Sequence, residues 1–361
     1  MPTPVFEAPR VGHLPAGAGN RITDVPGVTV GHATLSEGEV QTGVTVIKPH
    51  VHDDFLFKTP AAVTVINGFG KSVGLIQMQE LGVLETPIAL TNTFSVGEVA
   101  TAQIRQAFLN HPEIGRDWPT VNPLVFECND GHLNDIQALA VSADDYFSAC
   151  RAAAPDFAQG AVGAGRGMSC FSLKGGIGSA SRMASMKGGA SYAVGALVLA
   201  NFGRLPTLTV AGRALGRLIE TENRLPGRGV PGNEPEKGSI IIILATDAPL
   251  DARQLQRVSK RAAAGLARTG SVYGHGSGDI ALAFTTAYQL PALADAPAPS
   301  VEFVHESLID PLFEAAAEAT EQAVVNALWA ADTVAGRAAH QRFAITEVLP
   351  EWREIFERNV L

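Results

Sequence analysis

The sequence predicts a mixed α+β protein built round one large apolar core, and three observations carry that prediction. Apolar residues make up 46% of the 361-residue chain and charged residues 17%, a balance that favours extensive burial. Aliphatic runs such as Ile240-Ile241-Ile242-Ile243-Leu244 lack polar alternation, as in strands covered on both faces. Other segments carry helical spacing, clearest at Leu255, Val258, Ala262 and Leu266. At roughly 150 residues per domain the length suggests two domains, although a single large α/β layer structure also reaches this size.

The elements follow in order. Residues 1–20 are rich in Pro and Gly and are expected to wrap the surface. A turn at Pro26-Gly27 leads into a short strand to His32, and Thr42–Ile47 and Ala62–Asn67 read as further strands. Gly68-Phe69-Gly70 is expected to open a helical stretch through Val73, Ile76 and Leu81. A strand at Pro87–Thr91, a helix at Val96–Leu109 and a buried strand at Pro123–Cys128 come next. The glycine clusters Gly160–Met168 and Lys174–Arg182 match no phosphate-binding signature and read as loops closing round a small substrate. Ser191–Gly203 is a core strand ending at Asn201. One amphipathic helix is predicted from about Asp251 to Gly270, then a tight loop at Gly274–Asp279 and a strand at Ile280–Phe284. A long helix at Pro311–Ala331 and a short one within Leu349–Phe356 finish the chain.

Composition excludes several function classes. With 27 basic against 36 acidic residues the net charge is −9, so no basic footprint points to nucleic acid. No apolar stretch approaches the ~18 residues of a membrane span. The three cysteines form no Cys-x-x-Cys pair and suggest no disulfide framework; with no evident signal peptide at Met1–Glu7, a cytoplasmic setting is expected. The nine histidines show no metal-ligand pattern, and neither metal nor cofactor is expected.

One stretch concentrates chemical interest. Leu225–Pro235 reads as an exposed loop, and Gly238-Ser239 stands where it enters the aliphatic strand. Were the Gly238–Ser239 bond to break, Ser239 would carry both a hydroxyl and a free α-amine, whose pKa of about 7.7–8 suits a general base. Taken alone, Gly-Ser before a strand is ordinary. Glu127 in its apolar strand, with Asn129, Asp130 and Asp135 beyond it, could hold a cationic group. Asn129-Asp130-Gly131 also fits plain turn chemistry, preferred for Asp130, and Asp135 fits a helix cap. Asn201 could donate to an oxyanion or simply form a turn, and Ser277 and Asp279 could support a nucleophile or close a loop.

The combination resembles the L-aminopeptidase/D-esterase family, which includes β-peptidyl aminopeptidases, over roughly Asn20 to Ala331. Its motifs here are Ile22–Val28 with Val30-Gly31-His32, Gly68–Lys71, Leu90–Thr93, Asn129–Ile136, Lys174–Gly178 with Ala180-Ser181-Arg182, Ala200–Gly203, Gly238–Ile241, Ala245–Leu250 and Gly276–Asp279. The resemblance implies a single αββα sandwich over 1–361 and self-cleavage into chains 1–238 and 239–361. It further implies assembly as a homo-oligomer of such processed heterodimers. It makes Ser239 the nucleophile, Asn201 an oxyanion residue, Ser277 and Asp279 the supporting pair and Glu127 the carboxylate for a substrate amine. The implied substrates are small peptides and aminoacyl amides or esters. Relatives carry an aromatic residue where this chain has Asn129, usually a small hydroxyl residue in the loop at Arg166, and in some cases Glu where it has Asp279. An acyltransferase of the ornithine acetyltransferase type and an unprocessed binding protein are the competing readings.

Overall fold

A computed structural model describes residues 6–225 and 237–357. Apart from Leu225, the loop expected at 225–235 lies outside the described residues. The main strands are β1 (Thr29–Glu37), β2 (Val40–Lys48), β3 (Phe57–Gly68), β4 (Ile88–Asn92), β5 (Val125–Cys128), β6 (Gly176–Ser185), β7 (Ser191–Asn201), β8 (Lys237–Thr246) and β9 (Gly276–Thr285). The main helices are α1 (Leu75–Leu81), α2 (Val96–Asn110), α3 (Ala143–Arg151), α4 (Ala252–Ser259), α5 (Ala262–Arg268) and α6 (Asp310–Trp329). One sheet has the order β1-β2-β4-β5. The larger has the order β3-β9-β8-β7-β6, with short edge strands on β3. Within it β8 runs parallel to β9 and antiparallel to β7.

The alternation of side chains along β8 explains the layering. Ile240, Ile242 and Leu244 pack with Leu255 and Val258 of α4 and with Leu312 of α6. Ile241, Ile243 and Ala245 face the other way, onto Ile47, Leu90 and Phe126 of the smaller sheet. That sheet's outer face, Val44, Val46, Ala89 and Val125, packs on Val96, Val99 and Ala102 of α2 and Tyr146 of α3. Three apolar seams therefore separate four layers, helix, sheet, sheet, helix, as the resemblance implied. Each buried large aliphatic side chain contributes about 1.5–3 kcal/mol, so β8 fastens two of the seams at once. At Gly178 an added Cβ would lie 1.9 Å from the Ala323 carbonyl, so α6 rests directly on the β6 backbone.

Several expectations need correcting. The helix anticipated from Gly68 begins only at Leu75, because Gly68 still belongs to β3 and Gly74 sits at φ +93°, a left-handed conformation that blocks helix propagation. The single helix anticipated after Asp251 is two helices. The Ser259 hydroxyl, which donates to the Gln256 carbonyl and bonds Thr64, closes the first. Lys174–Arg182 is not a loop: most of it is β6, whose glycines serve backbone packing. Ser277-Gly278-Asp279 likewise lies inside β9, not in a loop before it.

Candidate active site

Ser239 is the third residue of β8, 5% exposed, with Asn201 of β7 opposite it on one side and Gly278 of β9 on the other. By strand parity its side chain shares the inter-sheet face of Ile241 and Ile243. Its Oγ accepts the Gly278 N–H at 3.1 Å. Ser277 and Asp279 flank that glycine and are fully buried; the Ser277 hydroxyl donates to Asp279 Oδ1 at 2.5 Å. Parity gives them the opposite face, the one that Ala281 and Ala283 turn to the helices. The pair therefore stands beside the Gly238 side of the strand, across the sheet from the Ser239 hydroxyl.

Asn201 is 7% exposed and its amide is held at both ends. Oδ1 accepts the Ser169 N–H at 2.8 Å, and Nδ2 donates to the Asn129 carbonyl at 3.0 Å. An N–H donor facing one end and a carbonyl facing the other settle which atom is oxygen. One of the two Nδ2 protons is used on Asn129, and the direction of the second is thereby fixed.

Glu127, 3% exposed at the end of β5, accepts the Lys71 backbone N–H on Oε1 at 2.8 Å and the Thr93 hydroxyl on Oε2. Each carboxylate oxygen has a second lone pair available to an ammonium group. The carboxylate and the Ser239 hydroxyl lie on either side of a backbone contact without side chains. A Cβ added to Gly70 would sit 3.6 Å from Glu127 Oε1, and one added to Gly278 would sit 3.1 Å from Ser239 Oγ and from the Gly70 Cα. Ser239, Asn201 and Glu127, scattered over 113 positions of sequence, thus come together at one end of the two sheets.

The remaining candidates divide. The Asn129 side chain is exposed and closes a turn by accepting the Gly131 N–H at 2.9 Å, so its carbonyl is what meets Asn201. Asp130 does form the turn, its carbonyl accepting the Leu133 and Asn134 N–H groups at 3.0 Å each, but its side chain is not exposed as turn residues usually are. It is fully buried, accepts Asn134 Nδ2 at 3.0 Å, and burial pushes its carboxyl up to about 7. Asp135 caps a one-turn helix through the Gln137 N–H, in line with its fit to a helix cap. Arg166 bonds Gln41 Oε1 at 2.7 Å.

Three supporting residues escaped the sequence reading. Thr93 lies in a quoted motif but nothing marked its hydroxyl for Glu127. Ser169 carries no local signal. Lys174 is fully buried and donates to the carbonyls of Gly165, Met168 and Gly175 at 2.9, 2.8 and 2.6 Å, with burial driving its ammonium far below the usual range. Between Ser169 and Lys174 the chain turns through Phe171 and Ser172 at φ +50° and +65°. Left-handed non-glycine residues of this kind cost on the order of 1–3 kcal/mol each and persist where neighbours over-determine them. Among the described residues one group, His13, Glu314 and Glu318, has the spacing of metal ligands. Glu318 there already accepts the His13 and Leu14 N–H groups and pairs with Arg182, so it works as a fastener for the N-terminal segment.

Comparison with known proteins identifies the family. The model of Peptidase family S58 matches residues 20–342, eleven residues further into the tail than the motifs suggested. The chain is 40% identical over 339 residues to the β-peptidyl aminopeptidase BapA of Sphingosinicella microcystinivorans, covering 89% of this chain and 84% of that protein. The crystal structure of the PH0078 protein from Pyrococcus horikoshii OT3 superposes with a TM-score of 0.89 at 45% identity, covering 98% of both chains. The L-aminopeptidase D-Ala-esterase/amidase of Ochrobactrum anthropi, described as a prototype serine aminopeptidase with a variant Ntn hydrolase fold, gives 0.84 at 34% identity over 96% of this chain and 97% of its own. On the family match, the relatives and the shared fold together, the chain belongs to Peptidase family S58 and is a hydrolase acting on peptide bonds.

Proposed function

We propose that this aminopeptidase makes its own nucleophile by cutting the Gly238–Ser239 bond. Ser239 Oγ attacks the Gly238 carbonyl carbon, the C–N bond breaks, and the acyl group passes to oxygen as the nitrogen takes up a proton. Water then hydrolyses the ester, leaving a carboxylate on Gly238 and a free α-amine on Ser239. In the peptidase reaction that amine takes the hydroxyl proton, Oγ attacks the carbonyl of a substrate's first residue, and the leaving amine departs protonated. Water releases the acyl group in a second addition.

The observation that carries this reading is the pairing of Ser239 with Asn201, whose amide is locked with one N–H that bonds none of the described residues. Such a fixed donor stabilises negative charge as it develops and needs no reorganisation. That Ser277 and Asp279 lie on the Gly238 side of the strand supports a role towards the amine more than the hydroxyl. Glu127 pairs with the substrate's ammonium and restricts the enzyme to free N-termini of small peptides, amides or esters. The relatives' names add β-amino acids to the candidate substrates. In the intact chain Ser239 is almost fully covered, which supports processing as the step that opens the site. Assembly of processed heterodimers into a homo-oligomer in the cytoplasm completes the proposal. No helix among the described residues is long and apolar enough to cross a membrane.

The test is to mix processed enzyme with an aminoacyl ester, quench in acid and weigh the fragment that begins at Ser239. Added mass equal to the acyl group on that fragment is expected. Turnover with the acyl group found elsewhere overturns the assignment of the nucleophile.

A further inference from the structure

The segment after α6 lies next to neither Ser239 nor Glu127 in sequence, yet it binds both loops that hold the Asn201 amide. These are the loop of Asn129, which offers the carbonyl to Nδ2, and the hairpin of Ser169, which offers the N–H to Oδ1. On the first loop, Arg337 donates its backbone N–H to the Leu133 carbonyl at 2.7 Å and its Nε to the Gly131 carbonyl at 3.1 Å. His340 bonds the His132 carbonyl through Nδ1 at 2.9 Å, and the two imidazole rings stack with centroids 4.6 Å apart. On the second, Arg342 Nε donates to Ser169 Oγ at 3.2 Å, and the Phe343 carbonyl accepts the Lys174 N–H at 2.9 Å. A short ladder, Val334–Ala335 with Gln341–Arg342, closes the segment on itself.

We infer that this segment is a strap that sets the angle of the oxyanion amide, with Arg342 as its positioning residue. The path is short: Arg342 fixes the Ser169 side chain, and the N–H of the same residue fixes Asn201 Oδ1. The strained turn at Phe171 and Ser172 begins two residues beyond Ser169, so the hairpin needs outside contacts to keep its shape. A strap joined to both loops holds the spacing between the Asn129 carbonyl and the Ser169 N–H, and an amide bonded at both ends turns when that spacing changes. The inference rests on Asn201 being the oxyanion donor of the proposed mechanism.

A double-mutant cycle separates this role from general support of the fold. Arg342→Met removes the donor and keeps an apolar stem. Ser169→Ala removes the acceptor and keeps the N–H. Each is made alone and with Asn201→Ala, and kcat and KM are measured on an aminoacyl p-nitroanilide with the processed enzyme. Each single change should lower kcat by on the order of 10-fold with KM within about two-fold, and neither should lower it further once Asn201 is alanine. The same cycle read on the rate of Gly238–Ser239 cleavage serves if Asn201→Ala slows processing so far that too little cleaved enzyme accumulates for turnover. Unchanged kcat in the two single variants, or losses that simply multiply with that of Asn201→Ala, would overturn the strap's role. Unchanged kcat in Asn201→Ala itself would instead overturn the oxyanion reading. Should Arg342→Met fail to fold, Ser169→Ala alone decides between these outcomes.

Discussion

Replacing Gly238 by alanine should slow self-cleavage for a steric reason that leaves the chemistry of the bond intact. An alanine carbonyl is as open to a hydroxyl as a glycine carbonyl in electronic terms. The obstacle is β7: a Cβ at position 238 would lie 2.3 Å from the Asn201 carbonyl oxygen, 2.9 Å from the Phe202 Cα and 3.2 Å from the Asn201 carbonyl carbon. All of these are backbone atoms, so no side chain can swing away. Bringing the shortest contact out to the 3.4 Å edge of ordinary van der Waals distance parts the strands by about 1 Å. The parting falls on the residue pair that brings Ser239 against Asn201. Overpacking of this kind costs about 1–3 kcal/mol in stability, and a 1 Å misplacement of reacting groups can cost about 100-fold in rate. The expectation is a protein that folds with a lowered Tm and cleaves roughly 100-fold more slowly, followed by intact mass against time from the moment of refolding. Once cut, residue 238 becomes a chain end free to move, so turnover by the cleaved fraction should return to near the wild-type value. Wild-type cleavage kinetics in Gly238→Ala would refute the reasoning, since the close approach of β7 and β8 would then not set the rate.

Other consequences follow from the same geometry. Asn201→Ala should reduce kcat by 100- to 1000-fold, about 2.7–4 kcal/mol, with residual activity measurable on an activated anilide. Glu127→Gln keeps the shape and an acceptor for the Lys71 N–H, while the Thr93 hydroxyl must turn to accept from the new amide, and it loses the charge, so kcat/KM for aminoacyl amides should fall far more than for N-acetylated esters; equal losses on both would refute its role. Asp130 has a carboxyl raised by burial from 3.8 to about 7. Its contribution to stability is therefore present in full below pH 4 and lost as the pH rises through 7. Asp130→Asn should then raise Tm relative to wild type at pH 8 more than at pH 5, as thermal melts across that range would show.

How much of this was legible in the sequence depended on how local the cause was. The β8 strand was legible because its aliphatic run needs no partner to be recognised, and Asn201 because it ends a similar run. The limits of β9 were missed because Gly274–Asp279 has the composition of a turn, and only pairing with β8 and β3 makes its second half a strand. The burial of Asp130 was missed for a similar reason. Its burial comes from Asn134 and from the close approach of Gly167, contacts that the turn-like Asn-Asp-Gly does not announce. The glycine clusters read as loops closing round a small substrate, but what approaches them is backbone: Gly160 meets the Ala330 carbonyl and Gly165 meets the Ile177 nitrogen. The strap was invisible because its contacts join residues about 200 positions apart, such as Arg337 and Gly131. The residues alone offered roles for Ser239, Glu127, Ser277 and Asp279 beside plainer readings, the family resemblance chose among them, and the structure supplies the distances on which they can be tested.

The central claim is that Ser239 becomes an N-terminal residue. The most direct measurement is the intact mass of freshly purified protein beside that of a Ser239→Ala variant. The account predicts two fragments in the wild type, the smaller beginning at Ser239, and one whole chain in the variant. A single chain of 37.8 kDa in both samples would contradict it, because Ser239 would never acquire the free amine on which the mechanism depends.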